Sequence, residues 1–232
     1  MDELRLLCAG AAKGLVVALQ PAFRAEVVVD VRGEFGAVGA MKDRLLAGES
    51  CDLIVLSAAL IDELCIDGRV DADSVAAIGR VGTGIAVRAG EAPPGIGDAT
   101  ALRRTLLAAT AIFVPDPQRA TAGIHFVDVL KRLAIHAEVA SRLRAFPNGA
   151  MAMRELGETP GPGLLGCTQV SEILYTPAVT LVGPLPGELA LSTVYSVAVC
   201  TRALQPEHAR RFAQWLTGPR SAALRAQGGF EV

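Results

Sequence analysis

Three short stretches of this sequence place small, uncharged residues where a strand gives way to a helix. They are Ala9-Gly10-Ala11-Ala12, Gly36-Ala37-Val38-Gly39 and Ala120-Thr121-Ala122-Gly123. A helix start ordinarily recruits Asp, Ser, Thr or Asn to satisfy its free N–H groups, and the helix dipole favours carboxylates in the first turn. None of the three carries an acid there, and the first carries Lys13, whose charge opposes the dipole. Open N–H groups with no side chain in the way are the makings of an anion site. The same small residues would also let helix and sheet pack closely, so the pattern alone leaves both readings open.

Other residues could join such a site. Asn148-Gly149-Ala150 is a fourth junction of similar character, and equally an ordinary turn in which Gly accepts positive φ. Gln169 follows a short apolar strand, where its amide could offer both donor and acceptor to a cleft or simply face solvent. Arg32 and Arg119 each stand near a junction and could clamp a carboxylate, or be surface charges. The chain contains no G-x-x-x-x-G-K-[ST], no H-E-x-x-H and no G-x-S-x-G. Its three histidines, His125, His136 and His208, are far apart in sequence. Neither a metal site nor a nucleotide cofactor is expected.

Composition narrows the partners. The 232 residues are 51% hydrophobic and 20% charged, which excludes disorder and suffices for one sizeable domain or two small α/β lobes. A net charge of −2 and only 4% aromatic residues argue against nucleic acid, so an anion site must be local to the fold. No window is long and apolar enough to suggest membrane insertion. The start Met1-Asp2-Glu3-Leu4 lacks the apolar core of a signal peptide, so the chain as written reads as cytoplasmic, or as periplasmic if a leader was removed. Five cysteines without C-x-x-C spacing read as buried free thiols.

The elements that would position these residues alternate. Strands are expected over Leu4–Ala9, Val27–Val31 and Asp52–Ser57, with helices over Ala11–Arg24, Val38–Ala47 and Ala59–Ile66 between and after them. Continuously apolar strands separated by helices indicate a parallel sheet covered on both faces. A strand over Val81–Val87 leads into a second series: helix Ala101–Ala109, strand Ala111–Val114, helix Ala122–Leu133, strand Arg142–Phe146, helix Ala150–Leu156 and strand Leu164–Cys167. Strands at Val179–Val182 and Thr193–Cys200 and helices at Pro206–Leu216 and Pro219–Gln227 complete the chain, with Trp215, Met151 and Met153 expected in the core. Sheets of this kind bind ligands at the carboxyl ends of their strands.

The order of several segments resembles the molybdate-type substrate-binding proteins of ABC importers. These are Leu7-Cys8-Ala9-Gly10-Ala11-Ala12-Lys13-Gly14, Glu34-Phe35-Gly36-Ala37-Val38-Gly39-Ala40, Ala47 to Ser57, Pro115-Asp116-Pro117 with Thr121 to Phe126, and Leu165 to Leu174. The resemblance implies a type 2 periplasmic-binding-protein fold of two α/β lobes, each a mostly parallel sheet flanked by helices, with the ligand cleft between them. Residues 1–82 and 195–232 would form lobe 1, and 83–194 lobe 2. Ligand contacts would fall at Ala11, Ala12, Lys13, Ala37, Val38, Ala122, Gly149 and Gln169. Molybdate binders of this type usually carry serine at the first two contact points and tyrosine at the last; here stand alanine or valine, and glutamine.

The function implied is binding of a small anion, a molybdate-like oxyanion or a small carboxylate, between closing lobes, with an ABC permease as partner. No cofactor and no catalysis are needed for that. The alternatives are an isomerase of the aconitate-isomerase type, with Lys13 as general base and Arg119 orienting carboxylates, and a cytoplasmic ligand sensor.

Overall fold

Residues 3–231, those described in a computed structural model of the chain, hold nine strands and ten α-helices. In order these are β1 (Glu3–Ala9), α1 (Lys13–Val27), β2 (Asp30–Gly36), α2 (Val38–Leu46), β3 (Leu53–Ser57), α3 (Ala58–Ile66), β4 (Ala76–Arg88), α4 (Ala99–Ala108), β5 (Ala111–Pro115) and α5 (Thr121–Arg132). There follow α6 (His136–Val139), β6 (Leu143–Phe146), α7 (Gly149–Glu158), β7 (Leu164–Gln169), α8 (Val170–Tyr175), β8 (Val179–Pro184), β9 (Ser192–Val199), α9 (Pro206–Thr217) and α10 (Ala222–Gln227). The chain divides into unit 1, residues 1–81 with 193–232, and unit 2, residues 82–192. It leaves unit 1 inside β4 and returns at the start of β9.

In unit 1 the strands lie in the order β2-β1-β3-β9. The first three are parallel, and β9 runs antiparallel to β3. Leu4, Leu6, Leu53, Ile54 and Leu56 are fully buried on β1 and β3, each contributing about 2 kcal/mol by leaving water. The expected strand over Val27–Val31 is displaced. Helix α1 runs through Val27, ends on Val28 in the left-handed region at φ 59°, and the strand begins at Asp30. β2 is the edge strand, half exposed, so it carries Asp-Val-Arg-Gly-Glu-Phe-Gly and holds its place by backbone pairing to β1. Its apolar run therefore does not mark it. Phe23 of α1 meets Phe212 and Trp215 of α9 edge-on at 4.8 and 5.2 Å, and Trp215 is buried as expected.

A buried carboxylate ties unit 1 together. Asp52, just before β3, accepts from the Arg5 N–H at 2.8 Å and from the Leu204 and Gln205 N–H groups at 2.6 and 2.9 Å. Those last two lead into α9, whose N-cap Gln205 offers no side-chain cap of its own, so Asp52 supplies the acceptor. At the other end of the unit, Arg80 and Glu231 exchange backbone hydrogen bonds of 2.6 and 2.8 Å, and buried Arg225 donates to the Ile78 carbonyl at 2.8 Å.

Unit 2 orders its strands β4-β7-β5-β6, with β8 on the other side of β4. β5, β6 and β7 are parallel, and β4 is antiparallel to β7 and β8. Leu102, Leu106, Phe126 and Leu130 from α4 and α5 build one buried cluster. Ala152, Met153 and Leu156 from α7, with Ile173 from α8, build a second. Met153 is buried as expected, whereas Met151 is only half-buried. Gly123 lets α5 approach β5: a Cβ there would stand 2.4 Å from the Asp116 carbonyl oxygen and 2.5 Å from that of Pro115. Among the described residues no helix is long and apolar enough to cross a membrane.

Candidate functional site

Unit 1 brings its two uncapped junctions side by side. β1 and β2 end together, Ala9 opposite Gly36, so the turns that follow emerge from one edge of the sheet. After β1 comes a 3-10 turn, Gly10–Ala12, wholly buried, and then α1; neither has a side-chain cap or an acid in its first turn. After β2 comes α2, N-capped by Ala37 without a side-chain hydrogen bond and again without an acid. Ala11, Ala12, Ala37 and Val38 are all buried, at 8% exposure or less. Lys13 is half-buried at the first turn of α1, its Nζ 5.7 Å from the centre of the Phe35 ring on β2. Ser57 closes β3 and precedes α3 without capping it, which adds a hydroxyl at the third parallel strand end.

Unit 2 carries a similar edge at the carboxyl ends of β5, β6 and β7. Helix α5 follows β5 with Ala120 as an N-cap that makes no side-chain bond, and Ala122 is buried in its first turn. The turn before it is held by Asp116, whose carboxylate accepts from the Gln118 and Arg119 N–H groups. The junction before α7 differs from the other three. Asn148 caps it, accepting from the Met151 N–H at 2.9 Å, and the Gly149 and Ala150 N–H groups donate to the Glu172 carboxylate. The Thr168 hydroxyl and the Gln169 N–H donate to the same carboxylate. The anion on α7 is thus the protein's own. Burial pushes the Glu172 carboxyl above the usual glutamate range, while these four donors pull it down.

Gln169 is 2% exposed, and neither its amide nitrogen nor its amide oxygen has a hydrogen-bond partner. Thr83 lies directly opposite it on β4, and the Thr83 hydroxyl is buried and unpartnered as well. The Ser171 hydroxyl, two residues beyond Gln169, completes this group in unit 2. Buried polar groups are nearly always paired, and leaving one unpaired costs about 1–3 kcal/mol. Sequence reasoning reached Gln169 through its place after a strand. It missed Thr83 and Ser171, because an isolated Thr or Ser becomes distinctive only once its surroundings exclude water.

The two arginines differ: Arg32 stands away from its junction, whereas Arg119 lies on the turn that leads directly into Ala120, the N-cap of α5. Arg32 is the third residue of β2, about 13 Å of strand before the turn, and its exposed side chain faces Glu3 at 3.9 Å. Arg119 is exposed on the turn before α5. His125 Nε2 is 2.8 Å from the Leu189 carbonyl oxygen. Among the described residues no group of three or more His, Cys, Asp or Glu is placed to hold a metal.

The family model for bacterial extracellular solute-binding proteins matches residues 4–231. The chain belongs to this family. Among solved structures, the periplasmic molybdate-binding protein of Azotobacter vinelandii is similar, with a TM-score of 0.82 at 18% identity over 99% of both chains. A sulfate-binding protein from Mycobacterium tuberculosis H37Rv gives 0.77 at 21% identity over 99% of this chain and 86% of the other. These likenesses establish the periplasmic-binding-protein fold of this family member. An aconitate isomerase from a Pseudomonas species is 27% identical over 100% of this chain and 88% of its own length.

Proposed function

We propose that this solute-binding protein holds a small anion through main-chain N–H groups of α1, α2 and α5, with Lys13 supplying positive charge and Gln169 hydrogen-bonding the ligand. The observation that carries the reading is Gln169, whose amide is buried with both polar atoms unpaired. A ligand bearing hydrogen-bonding groups would satisfy them. Three helix starts without a side-chain cap or a first-turn acid support the same reading. Contact points at Ala11, Ala12, Ala37, Val38 and Ala122 offer amides and no hydroxyls, which favours a ligand whose charge is met by backbone donors and one cation. The α7 start is a weaker contact point, since Glu172 already takes the Gly149 N–H. Membership of the solute-binding family supports, as part of this proposal, delivery of the ligand to an ABC permease.

A thermal-shift series against molybdate, tungstate, sulfate, phosphate, citrate and the aconitates tests this, because a ligand that binds the folded state alone raises Tm. Stabilisation by at least one anion, abolished in Lys13→Ala, is the expected result. No shift with any of them, at millimolar concentrations, overturns the reading.

The aconitate isomerase likeness supports a second reading, proton transfer within a tricarboxylate with Lys13 as base. Incubation with cis-aconitate separates the two: a receptor returns it unchanged, while an isomerase yields the trans isomer and Lys13→Ala abolishes that turnover.

A further inference from the structure

Two thiols far apart in sequence meet beside the amino end of β3. The register Leu53 opposite Val199 continues one step further, where the Cys200 N–H donates to the Asp52 carbonyl at 2.9 Å. Cys51 precedes Asp52, and its thiol donates to the Leu53 carbonyl at 3.0 Å. Both cysteines are buried, at 5% and 4% exposure, and both line one cavity of about 500 Å³ walled also by Ser50, Arg69, Arg202 and Leu204. The two thiols lie within hydrogen-bonding reach of each other, and that contact, with burial, keeps the Cys200 thiol protonated well above the usual range. The neighbouring backbone is held on both sides by the Asp52 carboxylate through Arg5, Leu204 and Gln205. Antiparallel partners stand about 4.5–5.5 Å apart at Cα, and a disulfide takes Cα atoms about 4.4–6.8 Å apart, so backbone neighbours of this kind are within the range a disulfide spans.

We infer that Cys51 and Cys200 form a thiol–disulfide modification site, closed by a small-molecule disulfide that enters through the shared cavity. The Cys51 thiolate attacks one sulfur of the small disulfide, breaking its S–S bond, releasing one small thiol and leaving a mixed disulfide on Cys51. Cys200 loses its proton and attacks the Cys51 sulfur, forming the internal bond and releasing the second small thiol. The protein loses two electrons and two protons, and the small disulfide gains them. Because one thiol is held protonated, closure is slow at neutral pH and accelerates as pH rises. The bond fastens the loop after β9 to the start of β3 and reopens under a small dithiol reductant.

The site is independent of the anion-binding proposal and is tested on the full chain. The native protein is incubated with oxidised glutathione, then mapped as peptides without reduction, and its Tm is measured before and after. The expected product is a Cys51–Cys200 linked peptide two hydrogens lighter than the reduced pair. Closing so long a loop should raise Tm on the order of 5 °C or more. Dithiothreitol reverses the change, and Cys51→Ser and Cys200→Ser each prevent it while keeping the reduced wild-type Tm. Should a serine variant fold poorly, the wild-type peptide map decides alone. A mixed disulfide that persists on Cys51, a link from Cys51 to Cys8, or thiols that react only after denaturation would each overturn the inference.

Discussion

The Glu172 carboxylate closes directly over the Gly149 amide: a Cβ added at Gly149 would lie 2.0 Å from Glu172 Oε2 and 2.0 Å from Thr168 Oγ1. Glycine is therefore required at the start of α7 by a close approach, since the backbone there is an ordinary helix start with no positive φ. Gly149→Ala must push apart a buried, hydrogen-bonded carboxylate, so a loss of about 2–4 kcal/mol of unfolding free energy in urea is expected. Gly95→Ala, with open space around the glycine, should change stability by less than about 1 kcal/mol and serves as the comparison.

The same carboxylate sets a pH dependence. Burial raises the Glu172 pKa in the folded state above its unfolded value, so the folded state holds the proton more tightly. The contribution is then fully favourable below the ordinary glutamate range and is lost as pH rises through the folded pKa. Unfolding free energies of wild type and Glu172→Gln, measured from roughly pH 4 to pH 8, should show the wild type losing stability relative to the variant as pH rises. A constant difference would mean that the four donors just offset burial, and a wild type that gains stability as pH rises would mean that they outweigh it.

Gln169 should behave as a residue placed for a ligand at the expense of the empty protein. Gln169→Met keeps length and removes two unpaired buried atoms, so the ligand-free variant should be as stable as wild type or more stable by about 1 kcal/mol. Affinity for whichever anion stabilises the wild type should fall tenfold or more, read by calorimetric titration. Loss of stability together with unchanged affinity would assign Gln169 to the fold alone.

Asp52 makes three backbone acceptor contacts from a buried position. Asp52→Ala should cost about 3 kcal/mol, since three N–H groups lose their buried acceptor, and amide exchange at Leu204 and Gln205 should accelerate. Asp52→Asn, which keeps one oxygen, should cost less than half as much.

What could be read from the residues divides by cause. β1 and β3 were legible because strands buried on both faces must be continuously apolar, as Leu6-Leu7-Cys8 and Leu53-Ile54-Val55-Leu56 are. β2 was misplaced because an edge strand is defined by its neighbour's backbone, and α8 was passed over because its six residues show no helical period. The junction residues Ala11, Ala12, Ala37, Val38 and Ala122 were identifiable from missing caps, a local property of the chain. The environment of Gly149 was not, since the carboxylate that fills it comes from Glu172 on another element. Thr83 facing Gln169 and Cys51 meeting Cys200 are likewise pairings across strands, invisible to any window along the sequence.

The reciprocal Arg80–Glu231 hydrogen bonds and the Arg225 bond to Ile78 bear on how the chain is born. A ribosome emits residues 82–192 in one uninterrupted run, so the inserted unit has every strand it needs while the flanking unit still lacks β9, α9 and α10. Domains generally fold as units during synthesis. Here the order of completion reverses the order of sequence: the second unit to begin is the first able to finish. The β1–β2–β3 layer must wait, partly built, for β9, α9 and α10 to seal it.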